Sequence, residues 1–301
     1  MGAVEELQQA ASVVAERVGP AVVRIGRAPG RGAGVVIGAG EVATNAHNLR
    51  GEHTTVTFAD GRVETGRVAG VDVDGDLAVV AVDTASIAAP EWGEPASTGL
   101  PVFALATSAS GDLRVSFGLV STVGQAFRGP RGRRIVGSLE HTAPLRRGSS
   151  GGPVVDGSGR LLGLNTHRLG DGFYLALPAD DELRARLGAL AQGRSPSRRH
   201  LGVALAPADA ARRLRRAVGL PERDGLLVRA VQADSPAERA GLREGDLIVA
   251  ASGSAVFSAD DLHAALDAVD EGGSLLLRIV RGSEELDVTV TFPGGEEQGS
   301  S

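Results

Sequence analysis

The chain has 301 residues and contains no cysteine and no lysine; its 31 basic side chains other than histidine are all arginine. Without cysteine there is no thiolate nucleophile, no iron–sulfur ligation and no cysteine zinc site; without lysine there is no Ser–Lys dyad and no Schiff base. A basic surplus is also missing. The formal net charge is -6, so the positive patch that nucleic-acid binding usually needs is not expected. No apolar run approaches the roughly 20 residues of a membrane span. The segment Met1-Gly2-Ala3-Val4-Glu5-Glu6 lacks a basic flank and an apolar signal core. As written, the expectation is a cytoplasmic protein, with the cell envelope as the alternative if the N-terminus has been trimmed. Zero cysteine is compatible with either compartment.

What is present centres on Gly148-Ser149-Ser150-Gly151-Gly152-Pro153, set between apolar runs at 135–136 and 154–155. A serine in such a loop can act as a nucleophile. The glycines after it leave an approaching carbonyl unobstructed and allow backbone N–H groups to turn inward. A flexible Gly/Ser linker has similar composition, but linkers sit between polar stretches rather than β-type runs.

Residues 3–18 carry Leu7, Ala11, Val14 and Val18 at helical spacing, stopped by Gly19-Pro20. Short apolar or alternating runs follow at 21–25, 34–37, 54–58, 77–82, 102–106, 115–123, 135–139, 154–155, 161–165 and 173–177. So many short strands suggest barrels or a sandwich. Gly30, Gly32, Gly34 and Gly38 do not make a dinucleotide loop, because 35–37 is itself a strand. Asp72, Asp74 and Asp76 do not make a calcium loop, because Leu77 stands where the sharp-turn glycine belongs. A helix over 180–190 closes the first domain, 1–190. Residues 191–199 read as a linker, 200–293 as a small α+β domain, and 294–301 as a disordered tail. In that second domain, helices are expected at 207–218, 236–240 and 259–269, with strands at 226–230, 247–251, 275–280 and 286–292.

Of six histidines, none stands four residues from another on an expected helix, so a histidine metal site has little support. His47 follows Ala43-Thr44-Asn45-Ala46 at the end of an apolar strand, and Asp76 opens the run 77–80, where its carboxylate needs a partner. Asp72 and Asp74 are rivals by spacing. His47, Asp76 and Ser150 give the chain order His, Asp, Ser, which is that of chymotrypsin-like enzymes and differs from subtilisins and α/β-hydrolases.

With Thr44-Asn45-Ala46-His47, Gly75-Asp76-Leu77-Ala78-Val79, the Gly148–Pro153 loop and Gly163-Leu164-Asn165-Thr166, the chain resembles trypsin-like serine proteases of the HtrA/Deg family. Its second domain resembles the PDZ module of that family, through His200-Leu201-Gly202-Val203, Ser235-Pro236-Ala237 and Gly245-Asp246-Leu247-Ile248. The resemblance implies a mostly β fold: a chymotrypsin-like double β-barrel followed by a small α+β PDZ domain. It implies His47, Asp76 and Ser150 as catalytic residues and the N–H groups of Gly148 and Ser150 as an oxyanion hole. Leu164, Asn165, Thr166, Phe173 and Ala176 would line a specificity pocket for a small or medium apolar side chain. His200, Leu201, Gly202 and Val203 would hold the carboxylate of a C-terminal peptide, lying beside the 259–269 helix. No cofactor is implied. The implied partners are unfolded protein substrates, C-terminal peptides and, as a homotrimer, further copies of the chain. The family's trimer uses aromatics near the N-terminus, yet none precedes Phe58, which leaves the apolar face of the first helix for that packing. Three departures surround the nucleophile: Glu140-His141-Thr142 for Gln-Thr-Asp, Arg146-Arg147 for Asn-Pro, and Ser149 for Asn. A non-proteolytic holdase or peptide-binding adaptor is the rival reading.

Overall fold

The structure, a computed structural model, describes residues 2–27, 32–108, 111–129, 133–196, 199–270 and 272–293. The expected tail at 294–301 lies outside them. The chain divides into two compact units, Met1–Pro196 and Ser197–Ser301.

The first unit opens with helix α1 (Ala3–Val18), whose Val14 and Val18 are buried in the main core. That part of its apolar face is therefore occupied by the chain's own barrels, while Val4 and Leu7 stay exposed. Strands β1 (Val22–Ile25), β2 (Gly32–Gly38), β3 (Glu41–Thr44), β4 (His53–Thr57), β5 (Val63–Asp72) and β6 (Leu77–Ala81) close into an antiparallel barrel in the order β1-β2-β3-β6-β5-β4. Strands β7 (Pro101–Thr107), β8 (Leu113–Arg128), β9 (Arg134–His141), β10 (Pro153–Val155), β11 (Leu161–Gly170) and β12 (Phe173–Pro178) close a second, ordered β10-β11-β12-β9-β8-β7. Closure leaves neither barrel with an open strand edge.

Strand β5 is absent from the apolar runs of the sequence, and its packing explains why. A side chain at Gly66 would meet Val80 Cγ1 at 2.4 Å, and one at Gly70 would meet the Leu190 carbonyl oxygen at 2.5 Å. The barrel needs space at those two positions, so the strand carries no apolar signature there. Helix α2 (Asp181–Ala191) fills the space outside Gly70. Its Leu183, Leu187 and Leu190, one face at helical spacing, are buried, and the Asp180 carboxylate caps it by accepting from the Leu183 N–H at 2.8 Å.

The second unit is a sheet ordered β13-β14-β15-β17-β18, built from β13 (Val203–Ala206), β14 (Leu226–Val231), β15 (Leu247–Ala251), β17 (Ser274–Arg281) and β18 (Glu284–Thr291). The two-residue β16 (Ser254–Ala255) pairs with β15. Helices α3 (Ala208–Ala217), α4 (Pro236–Arg239) and α5 (Ala259–Asp267) accompany it. Ser235 caps α4 by accepting from Glu238 N–H at 3.2 Å, and Ser258 with Asp261 forms a reciprocal capping box on α5. Strand β13, not anticipated from the sequence, forms one edge of the sheet; its Val203 and Leu205 pack on the same core as Leu262 and Leu266 of α5.

Candidate active site

Strand β3 ends in Thr44 and is followed by Asn45, both fully buried polar residues that must find partners inside the protein. Thr44 donates to the Ala33 carbonyl at 2.7 Å, and Asn45 Nδ2 donates to the Asp76 carbonyl at 2.8 Å. The chain then makes one 3-10 turn, Ala46–Asn48, which carries His47. Asp76 lies at the mouth of β6 with φ 51°, a left-handed conformation that aspartate tolerates better than most residues. Its carboxylate is 3% exposed. It accepts from His47 Nδ1 at 2.9 Å to both oxygens, from the His47 backbone N–H at 3.2 Å and from the Thr166 hydroxyl at 2.7 Å. With Nδ1–H given to the carboxylate, Nε2 is the nitrogen able to accept a proton. The two rival aspartates are engaged elsewhere: Asp72 pairs with Arg186 at 2.9 Å and Asp74 with Arg133 at 3.3 Å.

Ser150 reaches this pair from the second barrel. Its carbonyl accepts from the Ala33 N–H and from Asn48 Nδ2, both at 2.8 Å, so residues of the first barrel grip the loop that carries it. The loop's glycines have a structural task the sequence did not suggest. A side chain at Gly151, φ 90°, would meet the Ala33 carbonyl oxygen at 2.2 Å, and one at Gly152 would meet that of Leu105 at 2.3 Å. The Ser150 hydroxyl donates to the Thr166 carbonyl at 3.1 Å. It makes no hydrogen bond to His47 here; such contacts commonly tighten only with substrate bound. Thr166 thus touches both partners, through its hydroxyl to Asp76 and its carbonyl to Ser150.

Residues Arg146–Ser149 form a turn closed by Ser149 N–H to Arg146 carbonyl at 3.3 Å, with Gly148 at φ 88° in its third position. That is the type II form, which needs glycine there and turns the Arg147–Gly148 peptide opposite to the type I form. Among the described residues the N–H groups of Gly148 and Ser150 donate to no protein acceptor, so both can take a ligand oxygen.

A cavity of about 270 Å³ adjoins Ser150. Of the residues expected at a specificity pocket, Asn165 and Thr166 line it. Leu164 and Ala176 do not: both are fully buried in the barrel core. Phe173 does not either, and Tyr174 and Leu175 take the wall instead. The register explains the shift, because β11 and β12 are irregularly paired between Asn165 and His167, which offsets the alternation of faces. Behind Asn165 lies His141, fully buried, its Nε2 2.9 Å from Asn165 Oδ1 and its ring stacked on Tyr174. Burial pushes its pKa down to about 4, so it is neutral at neutral pH. Asn165 in turn donates from Nδ2 to the Gly152 carbonyl at 3.0 Å and accepts at its own carbonyl from Gly151 N–H at 2.7 Å. His141 therefore abuts the Gly148–Pro153 loop through one amide side chain.

In the second unit, Gly202 has φ 79°, and a side chain on it would meet Ser235 Cβ at 2.3 Å. Leu201 is buried in the core, His200 is exposed, and Val203 begins the edge strand. Among the described residues no cluster of three or more histidine, aspartate or glutamate side chains is arranged to hold a metal ion, and no helix is long and apolar enough to cross a membrane.

A histidine held by a buried carboxylate where two antiparallel barrels meet a serine loop is the arrangement of the trypsin-like serine endopeptidases. Residues 32–164 match the trypsin-like peptidase domain family, and residues 227–281 match the PDZ domain family. The chain is 33% identical over 287 residues to a protein of Synechocystis sp. named as serine protease HhoA, covering 90% of this chain and 72% of that one. It is 32% identical over 314 residues to the mitochondrial serine protease HTRA2 of Bos taurus, covering 92% and 66%. A DegP-like protein of Halomonas elongata, named a periplasmic serine endoprotease, is 30% identical over 269 residues, with 86% and 56% covered. Among solved structures, the HtrA-type protease AlgW with decapeptide has the same fold, with a TM-score of 0.66, 22% identity and 94% and 98% coverage. The chain belongs to the HtrA family of serine proteases.

Proposed function

We propose that this chain is an ATP-independent endopeptidase of unfolded or damaged proteins in which His47, Asp76 and Ser150 are the catalytic residues. The observation that carries the reading is the His47–Asp76 pair at 2.9 Å, bridged by Thr166 to the Ser150 hydroxyl. Ser150 Oγ attacks the peptide carbonyl while His47 Nε2 takes its proton and later delivers it to the leaving amine. Asp76 holds the imidazole tautomer and stabilises the imidazolium. The N–H groups of Gly148 and Ser150 bind the oxyanion, where loss of one donor costs about 2.7–4 kcal/mol. Water then hydrolyses the acyl-enzyme.

Residues 191–199 link this domain to a PDZ domain that captures an extended C-terminus as an added strand on the β13 edge, with 200–203 near its carboxylate. The decapeptide named with AlgW supports such capture. The cell envelope is the better-supported compartment, because the DegP-like relatives of Halomonas elongata and Chlamydia trachomatis are named periplasmic. Family membership is the sole support for a homotrimer. One observation favours the holdase reading: the Ser150 hydroxyl rests on the Thr166 carbonyl rather than on His47.

Labelling with a serine-directed phosphonate, with and without a library of C-terminal peptides, separates the two. Adduct on Ser150 that is lost in Ser150→Ala, together with casein cleavage, is the expected result. Adduct only with peptide places control in the PDZ domain or the 140–149 segment. No adduct under any condition overturns the endopeptidase in favour of the holdase.

A further inference from the structure

The cavity beside Ser150 carries charge for which acyl transfer itself has no use. Its lining combines the apolar Leu145, Tyr174 and Leu175 with Arg146, Arg147 and Arg168, and includes no aspartate or glutamate. Arg168 stands opposite Tyr174 in the β11–β12 register, and its guanidinium carbon lies 5.8 Å from the centre of that ring. Arg62, Arg133 and Arg186 in the same unit each have a carboxylate partner. Among the described residues Arg146, Arg147 and Arg168 have none. An adjoining hollow of about 200 Å³ brings Arg114 beside Arg146, again without a carboxylate. His141 behind the wall is neutral at neutral pH, and the permanently charged groups of the lining, which also includes His167, are guanidinium groups. Like charges gathered at one concave site repel each other and favour an anionic guest.

We propose that this cavity selects an acidic side chain, glutamate ahead of aspartate, on the residue whose carbonyl Ser150 attacks. The inference rests on the reading of Ser150 as the nucleophile. Arginine offers a carboxylate two parallel N–H donors. The apolar walls suit the two methylenes of glutamate better than the single one of aspartate. The preference replaces the small or medium apolar residue that the family resemblance implied.

The test uses the full chain and fluorogenic peptides that differ only in the residue before the scissile bond: Glu, Asp, Gln, Val or Lys. Glutamate is expected to exceed its neutral isostere glutamine by at least about tenfold in kcat/KM at low salt. The ratio should shrink at about 0.5 M salt, because exposed guanidinium groups are screened. Arg168→Glu is expected to move the preference toward Lys. Arg146→Ala with Arg147→Ala gives a second, independent loss of acidic preference. Cleavage after Val or Gln as fast as after Glu, with turnover abolished in Ser150→Ala, would overturn the acidic preference and leave the nucleophile in place. Absence of any cleavage that depends on Ser150 would remove both.

Discussion

The two barrels each bring one histidine to the surroundings of the Gly148–Pro153 loop, and the two sit in opposite environments. His47 of the first barrel is 37% exposed at its side chain and faces the buried carboxylate of Asp76. His141 of the second is fully buried, bonded to the neutral amide of Asn165 and stacked on Tyr174. A carboxylate partner fixes which ring nitrogen carries the proton and leaves Nε2 as the acceptor. Burial does the reverse to the other ring: it outweighs the Asn165 hydrogen bond and the Glu140 charge, both of which favour the protonated form, and lowers the pKa to about 4. The residue type is the same in both places; the partner fixes the tautomer in one and burial fixes the charge in the other.

The comparison breaks most severely at Asp76. In Asp76→Asn the amide cannot enforce the Nδ1–H tautomer, and kcat should fall about 10,000-fold with the fold intact; a near-normal kcat would mean that His47 is not the base. The next effect belongs to His141. The folded protein keeps this ring neutral down to about pH 4, while the unfolded chain takes up the proton near pH 6.5. Stability should therefore be lost as pH falls from 6.5 toward 4, by up to about 3 kcal/mol. Above that window the ring is neutral in both states and adds no slope. In His141→Phe the difference in urea midpoint between about pH 7 and about pH 5 should shrink relative to wild type; an unchanged difference would assign the acid lability to other groups. Thr166→Val removes one donor to the Asp76 carboxylate and should lower kcat about tenfold to a hundredfold with KM little changed. Smallest is Tyr174→Phe, which keeps the ring on His141 and removes only the hydroxyl bond to the Leu145 carbonyl at 3.1 Å. It should cost about 1 kcal/mol in chemical denaturation.

That His47, Asp76 and Ser150 gather in one place was legible in the sequence, because each sits in a short local pattern and their chain order carries information. Thr166, Asn48 and Thr44 were not legible as positioning residues. Their bonds join residues 90 and 102 positions apart, or reach a carbonyl on a neighbouring strand, and no local pattern records such pairing. The signal that was available is chemical: buried polar side chains at the end of an apolar strand must be bonded to something. The pocket walls were half legible. Asn165 and Thr166 line the cavity, whereas Leu164 and Ala176 face the core across an irregular register that spacing alone does not reveal. Strand β5 stayed hidden because glycine at 66 and 70 replaces the apolar residues that would have announced it.

Ser150 belongs to the second barrel by sequence, yet its carbonyl is held by Ala33 and Asn48 of the first. The seam between the barrels is thus a latch as well as a cleft. The Ala33 amide can trade its proton with solvent only when that latch lets go, so its hydrogen-exchange rate is a clock for how often the barrels part.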